Sequence, residues 1–211
     1  MVKCTKDEFV IGINTSGESL HKRGYRLQTN DAPIKETLAA ALVKLSDWTT
    51  EQTLIDPFCG SGTIAIEAAL IADNRAPGLE RELAFQYWKW IDRKKMQEVF
   101  DETRAAAKKS QKLPIYCFDI DPKILEAAQG NAEQAGFKNI NFRRSDFRDL
   151  DFSKFENCTF ITNPPYGQRL EDREKTVKMY REFGKKFSQT KNCSLFFITS
   201  NEFFPQLFGR P

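Results

Sequence analysis

The sequence predicts a doubly wound α/β fold, a parallel sheet with helices on its two faces. Three stretches carry that prediction. Thr53-Leu54-Ile55 is a short apolar run that passes through Asp56-Pro57-Phe58-Cys59-Gly60-Ser61-Gly62-Thr63 into the helical stretch Ile64–Ala72, giving strand, glycine turn and helix. Ile115-Tyr116-Cys117-Phe118 is a second such run, ending in Asp119-Ile120-Asp121-Pro122 ahead of another helix. Thr159-Phe160-Ile161-Thr162 leads into Asn163-Pro164-Pro165-Tyr166. In folds of this class ligands bind beyond the C-terminal ends of the strands.

Composition sets the outer bounds. The 211 residues suffice for one domain with a single good core. With 40% hydrophobic and 29% charged residues, the balance is that of an ordinary globular protein. There is no run of about 18 apolar residues, and Met1–Glu8 carries no apolar leader. A cytoplasmic protein without membrane contact is expected. Cys4, Cys59, Cys117, Cys158 and Cys193 are scattered and odd in number, which predicts free thiols. A single histidine and no ligand cluster argue against zinc. The net charge of +3 permits a nucleic-acid partner without requiring one.

Taken in order, Glu8–Thr15 alternates as a strand and stops at Ser16-Gly17. Lys22, Arg23 and Arg26 then lie beside Tyr25, a group able to hold phosphates and stack on a base. A solvated basic loop is the plainer alternative, and His21 stands alone as a structural residue. Ala32-Pro33 opens a helix through Leu45, with Leu38, Ala41, Leu42 and Leu45 spaced to face the core. Pro77-Gly78 breaks the chain before the aromatic segment Phe85–Trp90, and a polar helix follows from Arg93 to Ser110. This insertion is too long for a plain connection. Its aromatics either stack on RNA bases or pack the insertion onto the domain. Asn139–Phe142 reads as the third strand. Lys175–Phe187 reads as a helix with apolar surface at Val177, Met179, Tyr180, Phe183 and Phe187. Ser194–Thr199 reads as a buried strand, with Phe203 and Phe204 packed nearby.

The glycine loop is neither of two familiar nucleotide motifs. Gly60-Ser61-Gly62 lacks the third glycine of the dinucleotide fingerprint, and no lysine follows Gly62 as a P-loop requires. Asp56 repels a phosphate and suits a cationic ligand such as an amino-acid ammonium. Glycines admit a ligand to the backbone, and the helix start aims free N–H groups at it. Asp56, Phe58, Gly60, Gly62 and Thr63 are therefore candidate cofactor contacts. This loop, followed by Asn163-Pro164-Pro165-Tyr166, resembles S-adenosylmethionine-dependent methyltransferases acting on exocyclic amino groups of bases.

The resemblance narrows over nearly the whole chain. "NTSGESLHKRGYR", "APIKETLAAAL", "DPFCGSGTIAIEAA", "APGLERELAF" with the following tryptophans, and "NPPYGQRL" are together similar to the large-subunit ribosomal RNA guanine-N2 methyltransferase family. That family carries a THUMP RNA-binding domain before its methyltransferase domain. The resemblance implies a Rossmann-like class I methyltransferase sheet with flanking helices, S-adenosyl-L-methionine as cofactor, and RNA, large-subunit (23S) ribosomal RNA, as partner. Residues 1–30 are then an N-terminal strand and basic linker, and residues 31–211 the methyltransferase domain. No THUMP domain precedes Met1, and the family's fold usually adds a strand pair after the fifth strand, so a trimmed domain is expected.

The family's Ala-Pro-(Ile/Leu)-Lys-Glu segment closes over the methionine end of the cofactor, which makes Pro33 and Lys35 candidate contacts. Asp119, at the C-terminal edge of its strand, can accept both ribose hydroxyls. Asp121 caps the helix Pro122–Gln134, and Gly136 ends it. Asp146 can accept from the adenine amino group, with Phe147 packed on that ring. The Asn163 amide oxygen and the Pro164 carbonyl can accept the two hydrogens of a target amino group, on a loop that the prolines stiffen. Tyr166 would stack on an extruded base, Gly167 would allow its close approach, and Arg169 would reach a phosphate. Methylation of adenine N6 in DNA, methylation of a transfer-RNA guanine, and a non-catalytic RNA-binding domain are the alternatives.

Overall fold

The computed structural model describes residues 1–26, 33–108, 112–165 and 170–209, with the backbone alone for residues 170–173. An antiparallel hairpin comes first, β1 (Val2–Thr5) with β2 (Glu8–Ile11). Helix α1 (Glu36–Leu45) precedes β3 (Thr53–Asp56) and α2 (Thr63–Ala72). A short 3-10 turn at Ala84–Tyr87 and helix α3 (Arg93–Ala105) follow. Then come β4 (Ile115–Asp119), α4 (Pro122–Gln134), β5 (Asn141–Arg144) and β6 (Cys158–Thr162). Helix α5 (Leu170–Phe187), β7 (Ser194–Phe197) and the short α6 (Phe204–Phe208) complete the chain.

Strands β3 to β7 form one parallel sheet in the order β5-β4-β3-β6-β7. This is the doubly wound α/β sheet that the sequence predicts. The order reverses at β3, so the C-terminal ends of β3 and β6 flank the topological switch point. Neighbouring residues within a strand feed opposite cores, as the two-residue period demands. Leu54, Cys117 and Ile161 pack with Ala39, Ile66 and Ala132 from α1, α2 and α4. Ile55, Phe118 and Phe160 pack with Met179, Tyr180 and Phe183 of α5 on the other face. Coverage on both faces is why β6 is buried along its whole length and β3 from Leu54 onward, without an exposed alternate face.

Several elements differ from the sequence reading. The predicted first strand is half of a hairpin that ends at Ile11, and its residues are all exposed. Helix α1 starts at Glu36 rather than Ala32, so Pro33 precedes it and Lys35 is its N-cap. Its buried side chains are Glu36, Ala39 and Val43, while Leu38 and Leu45 are 43% and 72% exposed. The Glu36 carboxylate is drawn inward to Arg26 Nε at 3.2 Å, and that contact sets the helix face. Strand β5 begins two residues later than expected, and β7 is a partly buried edge strand. Phe204 stacks on Phe197 with ring centroids 4.1 Å apart, but Phe203 is exposed. Helix α4 has the predicted bounds: Asp121 Oδ1 accepts from the Lys123 amide at 2.8 Å, and Gly136 takes a positive φ just beyond it. All five cysteines are free thiols. No helix among the described residues is long and apolar enough to cross a membrane.

Candidate active site

Strands β3, β4 and β6 end on Asp56, Asp119 and Thr162, and Asn163 follows at once. Asp146 lies two residues past β5. The parallel sheet thus gathers the predicted acids and the predicted amide along one edge.

Asp56 is buried, and its Oδ1 accepts from the Phe58 amide at 3.1 Å and from Thr162 Oγ1 at 2.7 Å. Burial pushes its carboxyl up to about 7, against which the hydrogen bonds from Thr162 and Phe58 act. Thr162 was not among the predicted site residues. Its hydroxyl joins the end of the glycine-loop strand to the end of the Asn163 strand. The only sequence signal for it is a hydroxyl placed last in a buried strand.

The glycine loop passes through left-handed conformations at Gly60 (φ 52°) and Gly62 (φ 80°). A Cβ at Gly62 would lie 3.2 Å from Ala128 Cβ and from Phe142 Cε1, so only glycine fits there. The Gly60 amide donates to Asp119 Oδ2 at 3.0 Å, and the Asp121 amide donates to Asp119 Oδ1 at 3.1 Å. Two backbone donors therefore fix the Asp119 carboxylate at the crevice. Asn131 on α4 buttresses the loop by donating to the Ser61 carbonyl at 3.2 Å. Thr63 is buried at the start of α2, where its hydroxyl accepts from Arg26 Nη2 at 2.9 Å.

Asn163 Oδ1 is buried and has no hydrogen-bond partner. A buried acceptor left unpaired costs about 1–3 kcal/mol. Pro164 is buried and Pro165 exposed. Tyr166, Gly167 and Arg169 lie outside the described residues.

Beyond β5, Asp146 Oδ1 accepts from the Arg148 amide at 2.8 Å, and Oδ2 pairs with Arg148 Nη1 at 2.9 Å. Arg148 also reaches Glu182 on α5 at 2.7 Å. The expected adenine platform at Phe147 is corrected. Its ring is buried against Phe58 and Phe183, at 5.0 and 5.6 Å between centroids, with the Arg148 guanidinium 4.7 Å away. It has no free face for a ligand. Phe58 is half-buried in the same cluster and packs on Phe183 as well.

The basic stretch also needs correction. Arg23 Nε and Nη2 donate to Glu67 at 3.3 and 3.4 Å, and the Tyr25 hydroxyl donates to the same carboxylate at 3.0 Å. Arg26 pairs with Glu36 and donates to the Ile34 carbonyl and to Thr63. The Arg23 and Arg26 side chains are 11% and 14% exposed. Arg26 straps α1 to α2, Arg23 ties its own segment to α2, and neither offers free charge to a nucleic acid. Burial raises the Glu67 carboxyl and Arg23 opposes that shift. Lys22 alone of the three is exposed, paired with Glu18 at 3.1 Å. Arg23→Ala should therefore lower the unfolding free energy by about 3 kcal/mol, because Glu67 loses its buried countercharge. Lys22→Ala should cost no more than about 0.5 kcal/mol. Urea unfolding of both variants checks this, and equal small effects would refute the tie to α2.

A cleft of 670 Å³ is lined by Lys22, Arg26, Pro33, Lys35, Glu36 and Arg81, among others. Pro33 and Lys35, predicted from a different motif, thus share one concavity with the basic stretch.

The RMKL-like methyltransferase domain family model matches residues 23–210. The "Putative RNA methyltransferase YpsC" of Bacillus subtilis is 42% identical over 210 residues, 99% of this chain and 54% of that protein. The "Ribosomal RNA large subunit methyltransferase K/L" of Shewanella amazonensis is 42% identical over 191 residues, 88% of this chain and 27% of that protein. The crystal structure of SMU.472 complexed with SAH is 40% identical, with a TM-score of 0.85, over 93% of this chain and 51% of that one. The chain therefore spans about half the length of the first relative and about a quarter of the second. A parallel sheet wound about β3, a glycine loop with acids at the strand ends, and a family match over nearly every residue converge: the chain belongs to the RMKL-like methyltransferase domain family.

Proposed function

We propose that this domain moves a methyl group from S-adenosylmethionine to the exocyclic N2 of a guanine in large-subunit (23S) ribosomal RNA. The observation that carries the chemistry is the buried, unpartnered Asn163 Oδ1 beside the prolines. An exocyclic amino nitrogen is a weak nucleophile, because its lone pair is delocalised into the ring. Asn163 Oδ1 accepts one of its hydrogens and the Pro164 carbonyl the other. The nitrogen would become pyramidal and bond to the methyl carbon as the sulfonium–methyl bond breaks and S-adenosylhomocysteine is released; the positive charge it develops would be stabilised until one of its hydrogens passes to solvent as a proton. The cofactor supplies an electrophilic methyl group on a sulfonium. Asp56 answers its ammonium, Asp119 its ribose hydroxyls and Asp146 its adenine amino group, with Pro33 and Lys35 toward the methionine end. The acids fit such a ligand, since Asp119 is already oriented by two amides and Asp146 remains partly open at 29% exposure. The RNA target is supported by the names of the two curated relatives.

The test begins with calorimetric titration of the chain with S-adenosylhomocysteine, where saturable one-to-one binding is expected. Labelled methyl transfer is then followed into large-subunit ribosomal RNA, transfer RNA and DNA, with nucleoside analysis of the products. N2-methylguanosine in the ribosomal RNA supports the proposal. N6-methyladenine in DNA, or N2-methylguanosine confined to transfer RNA, replaces the substrate. Absence of cofactor binding overturns the pocket, and RNA binding without transfer points to a non-catalytic domain.

A further inference from the structure

The aromatic insertion divides in two in the structure. Phe85 faces inward, stacked on Phe100 with centroids 6.5 Å apart, and Trp88 is half-buried. Tyr87 and Trp90 are 62% and 70% exposed. The Trp90 ring lies against Trp88, tilted by 40° with centroids 5.1 Å apart. Two large rings left in water contribute little to folding, so their faces are available for stacking. They sit within a run of cations: Lys89, Arg93, Lys94 and Lys95 are all exposed. Asp92 and Glu98 offset part of that charge and leave the stretch from Lys89 to Glu98 net positive. Asp92 caps α3 by accepting from the Lys94 and Lys95 amides. Glu82 is hydrogen-bonded to the Tyr87 hydroxyl, and Glu98 meets Lys94 only at 4.0 Å.

This surface is anchored and adjoins the cleft. The Ala84 and Phe85 amides donate to the Ser16 and Thr15 carbonyls at 3.3 and 3.1 Å. The Arg81 guanidinium donates to the carbonyls of Glu18, Ser19 and Lys22 at 2.7–3.1 Å. Arg81 and Glu82 themselves line the cleft that holds Pro33 and Lys35. Rings beside cations match a polymer that carries phosphates and exposed base faces, which describes a single strand better than a duplex.

We propose that Tyr87 and Trp90, with Lys89, Arg93, Lys94 and Lys95, form a stacking platform for single-stranded RNA that leads toward the Pro33–Lys35 cleft. The inference rests on the RNA reading above and assigns it a surface. The test uses the whole chain, a labelled single-stranded 20-nucleotide RNA of mixed sequence and a duplex of equal length, followed by fluorescence anisotropy at several salt concentrations. The Tyr87→Ala/Trp90→Ala double variant should bind the single strand at least about tenfold more weakly. Trp90→Phe should keep most of the affinity. Lys94→Ala/Lys95→Ala should lower the salt slope by about 1.4, two phosphates' worth for a single strand. S-adenosylhomocysteine binding should be unchanged in all three variants. Binding of the double variant within twofold of the parent overturns the platform. So does an equal loss on the duplex, or failure of the parent to bind RNA, which would leave the patch to a protein partner. A parent that binds RNA through Tyr87 and Trp90 but not S-adenosylhomocysteine would retain the platform and remove the methyl-transfer reading.

Discussion

Asn163→Ala should slow methyl transfer by about 10²–10³-fold, the usual loss when one preset acceptor or donor is removed from developing charge. Affinity for S-adenosylhomocysteine and for RNA should stay within about twofold, because Asn163 Oδ1 has no partner among the cofactor-loop residues. Stability provides the sharper discriminator. A buried carboxamide with a structural role contributes hydrogen bonds, and its loss weakens the fold. Asn163 Oδ1 instead carries an unmet acceptor, a cost of about 1–3 kcal/mol that alanine removes. The variant should therefore melt at the same temperature as the parent or higher while losing its rate. A strained or unsatisfied group that persists in a folded chain points to use by a ligand. An unchanged rate would remove Asn163 from the chemistry, and a lower melting temperature would make it a structural residue.

Cofactor binding should strengthen as pH rises from 6 to 8 and then level off. Burial raises the Asp56 carboxyl to about 7, so below that pH the acid is largely neutral and cannot answer an ammonium. Affinity should fall by up to about tenfold per pH unit on the acid side. Asp56→Asn retains an oxygen for Thr162 and Phe58 but has no charge, so it should bind weakly with a flat pH profile. Folding gives a second readout of opposite sense. In the unfolded chain this carboxyl ionises near 3.8, whereas in the folded chain it holds its proton up to about 7. The folded state therefore binds more protons across that window, and stability falls as pH rises from about 4 to 7. The asparagine variant should lack that slope in urea unfolding. Equal affinity of the parent for S-adenosylhomocysteine at pH 6 and pH 8 would show that Asp56 serves only as a strut between β3 and β6.

Much of the site was legible because its signals are local. An apolar run, an acid, two glycines and a helix are neighbours in the chain, so Thr53–Ala72 could be placed by its pattern alone. The same holds for Asp119 and Asp121, where one acid ends a strand and the next caps a helix. Legibility failed where a side chain's partner lies far along the sequence. Arg23 meets Glu67 across 44 positions, and Asp56 meets Thr162 across 106. A basic residue looks the same in sequence whether it points to solvent or to a buried carboxylate. Phe147 failed for a related reason: an aromatic after an acid can cover a ligand or plug a core, and here Phe58 and Phe183 enclose it.

The sequence by itself determined the strand–loop–helix units, the chemical types at the strand ends and the order of the motifs that carry the family resemblance. These follow from short-range periodicity, turn chemistry and motif order, which survive any packing of the units. Only the tertiary structure decided which strands are neighbours, and hence that β3 and β6 set Asp56 beside Thr162 next to Asn163. It also decided that Arg23 and Arg26 turn inward to Glu67 and Glu36 while Tyr87 and Trp90 remain in solvent. The reason is energetic: a charge or ring goes inside only where the rest of the chain supplies its partner, and that supply is set by contacts between distant residues.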